Sequence, residues 1–480
     1  MVHLSTLFAS TVLASVFITA NAALPKSDLL NDPLPPCLQT LPIANAKDLV
    51  AKLGKATPGS CFILNDGDYS AIGDIRNAKG TRDAPIVIRA KNIGKAVLTQ
   101  IMSFRDNAYV VLDGFTFNGP SQRIEIVGCQ SCRITRSSFK IRDPTDGGNY
   151  DWVVVKANSD SVRIDRCDFG PKKAQGSPII IASNGASKTD PIATNFQVDH
   201  SYFHDLIPTS SNGGEAIALG NTHPDFPNGP ESGAYVQYNL FESCDGDPEI
   251  ISVKSSKATI RYNTIRNSAG GIVLRNTDNS KVYCNVIDGK NKKGSAGVRI
   301  HGTGHIVSNN LIYDIEGRTL ALSPKRGDSH RAASKSELVH NTLFGPIEMS
   351  WNENPTDPSL FPSENTFANN IIGGSNIILK LTKESKTSYS GNLVLNGAKD
   401  VPAQGFVTVA DFKLNSDYLL TSGSPSVNST AVKTIFSTND DIQGQPRNDG
   451  KPDIGADELS NAPVKRNPLT PKDVGLNFPL

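Results

Sequence analysis

Along most of this chain the apolar positions return at intervals that fit neither a helix nor a run of hairpins. The recurring unit is a polar residue, then one variable position, then Phe, Ile, Leu or Val. Its last residues are Phe117, Phe139, Phe169, Phe203, Phe241, Ile265, Ile287, Ile312, Leu343, Ile372 and Val394, and from Asn239 onward the polar residue is always Asn. Successive units are 22, 30, 34, 38, 24, 22, 25, 31, 29 and 22 residues apart. A floor of 22 with a variable excess is the mark of a solenoid, in which each repeat is one coil and the excess is loop. Short β-branched runs (Tyr109–Leu112, Ala258–Ile260, His305–Val307) supply strands, and helical periodicity is nearly absent after residue 60. An antiparallel sandwich would need a turn every 8–12 residues or so. The pattern therefore predicts an all-β chain: a right-handed parallel β-helix of about a dozen coils. Its Asn residues would stack as an internal ladder.

Two other segments frame the solenoid. Residues 44–55 read as a short amphipathic helix, suited to capping the open end of the coil stack. After about residue 400 the phase fades into irregular, Pro-containing sequence. The expected organisation is a β-helix over 23–400 and an extension over 401–480 packed against it. Residues 1–22 have an apolar middle and end on Ala20-Asn21-Ala22, a small-x-small cleavage pattern. They predict a signal peptide and a secreted, extracellular chain, with no later segment apolar enough to span a bilayer.

Composition narrows the partners. Lys plus Arg total 48 against 47 Asp plus Glu, a balance that argues against nucleic acid or a membrane surface as general partner. A polyanion would need a local basic cleft. Seven cysteines leave at least one unpaired. Cys37 with Cys61 is the preferred bridge, since both flank the N-terminal capping segment, and the lone Cys129-x-x-Cys132 does not suggest zinc. Asn428-Ser429-Thr430 is a glycosylation acceptor pattern.

Candidate chemistry gathers between Asp245 and Arg275. Lys254 and Arg275 are 21 residues apart, close to one coil, and Lys254, Arg275 and His301 each precede a ladder Asn by nine or ten residues. Strands in neighbouring coils lie about 4.8 Å apart, so these three should form one column on one face. Arg299 shares parity with His301 and would flank it. A solvated basic stripe is the plain alternative. Asp247 and Glu249 alternate and so point to the same side of a strand, and Asn212 lies about one long coil earlier. Their oxygens suit a hard cation such as Ca²⁺, although simple salt bridges fit the spacing equally. Strict alternation sets Lys254 opposite Glu249, so a corner or bulge must intervene.

Such a set suits chemistry on a uronic acid polymer. The C5 proton beside a uronate carboxylate is poorly acidic, and a bound cation lowers the cost of removing it. A lysine near Ca²⁺ and arginine would have its pKa pushed down, providing a neutral amine as base. Loss of the C4-linked oxygen then cleaves the chain by β-elimination.

The stretches NGGEAIALG (212–220), DGDPEIISVKS (245–255), GGIVLR (270–275) and AGVRIHG (296–302) resemble polysaccharide lyase family 6, the chondroitinase B and alginate lyase group. The likeness extends to Gly80-Thr81-x-x-Ala84-Pro85-Ile86, Val111–Phe115 and Asp453–Asp457. It implies Lys254 as Brønsted base, Arg275 as acid or charge stabiliser, and Ca²⁺ held by Asn212, Asp247 and Glu249. Arg299, His301 and Glu215 complete the expected site as substrate-binding residues. Position 247 departs from the family pattern, being Asp in place of Glu. His301 replaces an apolar residue, and Asn276-Thr277 follows Arg275. The expected substrate is an anionic polysaccharide, alginate first and dermatan sulfate second, acted on by a monomer. A β-helical glycoside hydrolase would need clustered aspartates, and the only Asp-Asp pair, Asp440-Asp441, lies in the tail. A non-catalytic glycan-binding β-helix has no need of Lys254 and Arg275 at one-coil spacing.

Overall fold

A computed structural model describes residue 34 and residues 36–478, apart from 71, 145, 183–190, 208–211, 221–229, 328–329, 350–354, 375–378, 382–383, 432–438 and 448–449. The segment read as a signal peptide falls outside the described residues.

From Ser60 to Lys380 each coil contributes one short strand to each of three parallel sheets, giving a right-handed parallel β-helix. Sheet 1 runs from Gln39–Ile43 to Ser388–Ser390 and has fourteen strands. Sheet 2, also of fourteen, runs from Gly67–Tyr69 to Phe406–Val409. Sheet 3, of twelve, runs from Asp74–Arg76 to Leu379–Lys380. The solenoid thus extends slightly past residue 400, because Phe406–Val409 still pairs with Asn392–Leu395. The helix at the start spans Ala46–Leu53, with the Asn45 side chain accepting from the Asp48 N–H and Leu49 fully buried. The Cys37–Cys61 disulfide ties this cap to sheet 1, and the other five cysteines are free and buried. No helix among the described residues is long and apolar enough to cross a membrane.

The corner between sheets 1 and 2 explains the 22-residue floor. From Tyr238 to Asn370 it always consists of two residues. The first (Tyr238, Tyr262, Cys284, Asn309, His340 or Asn369) is left-handed, with φ between 52° and 57°. The second is the ladder Asn. In each rung the Asn Oδ1 accepts the backbone N–H and the Nδ2–H of the Asn one coil earlier, as Asn285 does for Asn263 at 3.1 and 3.0 Å. Nδ2 also donates to a carbonyl across the corner, as Asn285 does to Ile260 at 3.0 Å. Every polar group turned into the interior here has a partner, so the backbone can turn without an orphaned donor. The following apolar residues form the core, and Phe117, Phe139, Phe169, Phe203 and Phe241 stack with ring centroids 4.6, 4.3, 4.8 and 4.8 Å apart.

The excess residues lie at the corners that border sheet 3. Four residues separate Cys244 from Glu249, nine separate Asp288 from Val298, and fourteen separate Leu322 from Glu337. The C-terminal tail runs back along the Asn corner. Gly455 N–H donates to the Asn369 carbonyl (3.0 Å), Arg447 to Asn309 Oδ1 (2.9 Å), Leu469 N–H to Thr264 Oγ1 (2.8 Å) and Gly475 N–H to the His200 carbonyl (2.7 Å).

Candidate active site

The outer face of sheet 3 carries the expected column. Val253 pairs with Leu274 and Leu274 with Ile300, so the next residue of each strand, Lys254, Arg275 and His301, falls at one level in three successive coils. Their strands are apolar on the inner face (Ile251, Val253, Ile272, Leu274, Val298, Ile300), and core packing fixes which residues face out. The bulge demanded by the Glu249–Lys254 spacing is present. Register slips between Glu249 and Ile251, and Ile250 and Ile251 both enter the core. Glu249 and Ser252 consequently meet, with Ser252 Oγ donating to Glu249 Oε2 at 2.5 Å. A second slip follows Leu274, immediately around Arg275.

Charge is dense around this column. Lys254 Nζ donates to Glu215 Oε1 at 2.8 Å. Glu215 itself is 5% exposed. Its other oxygen faces Ser177 Oγ at 3.5 Å. Glu249 Oε1 accepts from Arg275 Nη1 at 3.3 Å and from the Arg299 guanidinium. Arg299 is therefore held by a carboxylate, and burial pushes its pKa down against the pull of Glu249. His301 is only 7% exposed, and its ring lies 4.9 Å from that of His330. Burial, with Arg299, His330 and Arg275 nearby, holds it neutral and well below the ordinary histidine range. Its ring thus stands behind that of His330, the partner of Arg275 Nε.

Two partners were missed from sequence. His330 Nε2 accepts from Arg275 Nε at 3.1 Å. Arg331 donates to the Thr277 carbonyl (3.3 Å) and to Asp278. Both lie in the fourteen-residue corner, and the only signal was a basic run, Lys325-Arg326 and His330-Arg331, just after the coil of His301. Of the two tryptophans, Trp152 is fully buried and donates to Asp143.

The cation site is best judged by its donors. Asp247 Oδ2 accepts from the Gly213 N–H (2.7 Å) and Oδ1 from the Glu249 N–H (2.8 Å). This brings the loop of Asn212 onto the acidic pair. Burial, with Glu215 and Glu249 close by, raises the Asp247 pKa to about 6. Among the described residues no three Asp, Glu, His or Cys side chains are grouped to hold a metal, and the expected set adds the Asn212 side-chain amide to the two carboxylates. The set of two carboxylates and an amide fits a hard cation by donor type, and its mutual repulsion would be relieved by one. Glu249 would then share its oxygens with two arginines.

A crevice of about 230 Å³ runs beside the column, lined by Val273, Arg299, Arg318 and glycines 271, 294 and 297. A Cβ at Gly271 would sit 2.1 Å from the Gly297 carbonyl oxygen, so its floor admits no side chain there. A larger cavity, about 580 Å³, lies between the solenoid and the tail and touches none of these residues.

A sequence model of the chondroitinase B family matches residues 43–341. The fold is similar to a mannuronic acid-specific family 6 polysaccharide lyase from human gut microbiota (24% identity, 78% of this chain and 91% of that one, TM-score 0.64). It is also similar to the family 6 alginate lyase AlyGC (20%, 92% of this chain and 59% of that one, TM-score 0.70). A third likeness is to the family 6 polysaccharide lyase Pedsa3628 from Pseudopedobacter saltans (21%, 92% of this chain and all of that one, TM-score 0.66). No curated protein matches the chain.

Proposed function

Given that this chain belongs to the chondroitinase B family, the family 6 polysaccharide lyases, we propose that it is a secreted enzyme that cleaves alginate by β-elimination. The single observation that carries this reading is Lys254 and Arg275 side by side in adjacent coils on the outer face of sheet 3, with Glu215 on one and Glu249 on the other. Alginate is preferred because two of the similar structures are of lyases named for mannuronic acid and for alginate.

In the proposed reaction Lys254, as the free amine, takes the C5 proton of the uronate. The C–H electron pair forms the C4–C5 double bond, the C4–O bond breaks, and the departing oxygen takes up a proton from water. Glu215, hydrogen-bonded to Nζ, orients the amine and balances the ammonium it becomes. Arg275 Nη2 has no protein partner among the described residues, which leaves it to the substrate. A guanidinium is a poor proton source, so Arg275 stabilises the charge that builds on the uronate carboxylate. Ca²⁺ held by Asn212, Asp247 and Glu249 would supply further neutralisation of that carboxylate.

The test is ultraviolet absorbance over time with alginate, polygalacturonate and dermatan sulfate, each with Ca²⁺ and with chelator. A rise on alginate that disappears in Lys254→Ala is the expected result. A rise on dermatan sulfate alone would reassign the polymer, and reducing ends without absorbance would make the protein a hydrolase.

A further inference from the structure

We propose that His330 is a positioning residue for the reaction: it holds the Arg275 guanidinium in its working plane by accepting the Nε–H. The inference rests on the lyase reading of Arg275 given above. Arg275 stands where the register of its own strand slips, so the ladder on either side does not fix its side chain. Two contacts do. Nη1 meets Glu249 at 3.3 Å from the preceding coil, and Nε meets His330 Nε2 at 3.1 Å from a residue 55 positions later in the chain. A planar group held at Nε and at Nη1 cannot rotate about its last bond, and its Nη2 edge stays presented to substrate.

His330 is itself held on both sides. Its backbone exchanges hydrogen bonds with Arg326 at 2.9 and 3.2 Å, and the next residue, Arg331, grips Thr277 and Asp278 in the coil of Arg275. His301 backs the imidazole at 4.9 Å. An imidazole can accept from a guanidinium only when that nitrogen is unprotonated. Burial and the neighbouring Arg275, Arg299 and Arg326 all favour the neutral ring. The role needs an acceptor at this point, not an ionisable group.

The experiment is a double-mutant cycle on the polymer that the enzyme cleaves: wild type, His330→Ala, His330→Gln, Arg275→Ala and the double alanine variant, with thermal unfolding of each. The expected result is a fall in kcat of roughly 10- to 100-fold for His330→Ala, the scale of a misplaced catalytic group, with KM changed less than about threefold. His330→Gln, which keeps an acceptor, should recover most of the rate. In the Arg275→Ala background, His330→Ala should cost nothing more. Full multiplication of the two losses, or a loss confined to KM, would overturn the role by making His330 an independent substrate contact. If His330→Ala is unfolded, the glutamine variant decides: a rate equal to a folded His330→Leu removes the acceptor argument. An Arg275→Ala enzyme as fast as wild type would instead sink the functional reading of Arg275 itself.

Discussion

The Asn corner and the outer face of sheet 3 are built from the same coils, yet they treat buried polarity in opposite ways. At the corner each rung has one amide, always two residues of turn, and a partner for each ladder hydrogen bond. On sheet 3 the loops vary in length, the register slips twice, and three carboxylates crowd three basic side chains within a few coils. Stability comes from repetition, where a solved local problem is copied. Chemistry is placed where the copy fails, because a slip or a long loop is what brings side chains of different parity together.

The comparison is sharpest if each region can be damaged alone. Lys254→Ala should lower the elimination rate by roughly 10³-fold or more, while the unfolding temperature moves little; steady-state kinetics beside calorimetry checks both. Asn285→Leu should do the converse. It removes the acceptor of the Asn263 N–H and of one Asn263 Nδ2–H, the side-chain donor to the Ile260 carbonyl, and one of the two donors to Asn310 Oδ1, at a cost of about 2–4 kcal/mol. kcat at low temperature should survive, and a large fall in kcat with an unchanged unfolding temperature would break the division.

Asp247 offers a pH test. Its pKa lies near 6 in the folded chain against an ordinary 3.8. Between these values the unfolded chain has lost a proton that the folded one retains, so stability falls as pH rises from about 4 to about 6. The loss is on the order of 1–3 kcal/mol. In chelator, Asp247→Asn should flatten that slope, and Ca²⁺ should raise the unfolding temperature of the wild type at pH 7 but not at pH 4. An unchanged slope in the variant would remove Asp247 from the crowded set. The smallest effect is expected at the end of the stack. Asn45→Ala removes the cap of the Ala46–Leu53 helix and should cost about 1 kcal/mol, detectable as faster hydrogen exchange in the first coils with no change in rate.

The corner was legible in the sequence because a two-residue turn cannot vary: Asn239, Asn263 and Asn285 announce both the period and the interior. The Lys254–Arg275–His301 column followed by counting back from those residues, and even the bulge near Glu249 was required by parity. His330 was not legible, since it reaches Arg275 from a fourteen-residue loop whose path no period encodes. Nor was the hold of Glu215 on Lys254, which depends on a coil of irregular length. Asp247 and Glu249 fit cation ligation and salt bridges equally from their spacing, and which arginines reach Glu249 appears only once three coils are stacked.

The tail adds a property that a stack of coils lacks. Coils touch only their neighbours, so an isolated solenoid can fray from either end one rung at a time. Hydrogen bonds from residues 447–475 reach the coils of Asn369, Asn309, Thr264 and His200 in turn. Peeling the last rungs must therefore also lift a strip fastened to the middle of the rod. The strip works as a splint, making the distal coils melt together with those that carry Lys254 and Arg275.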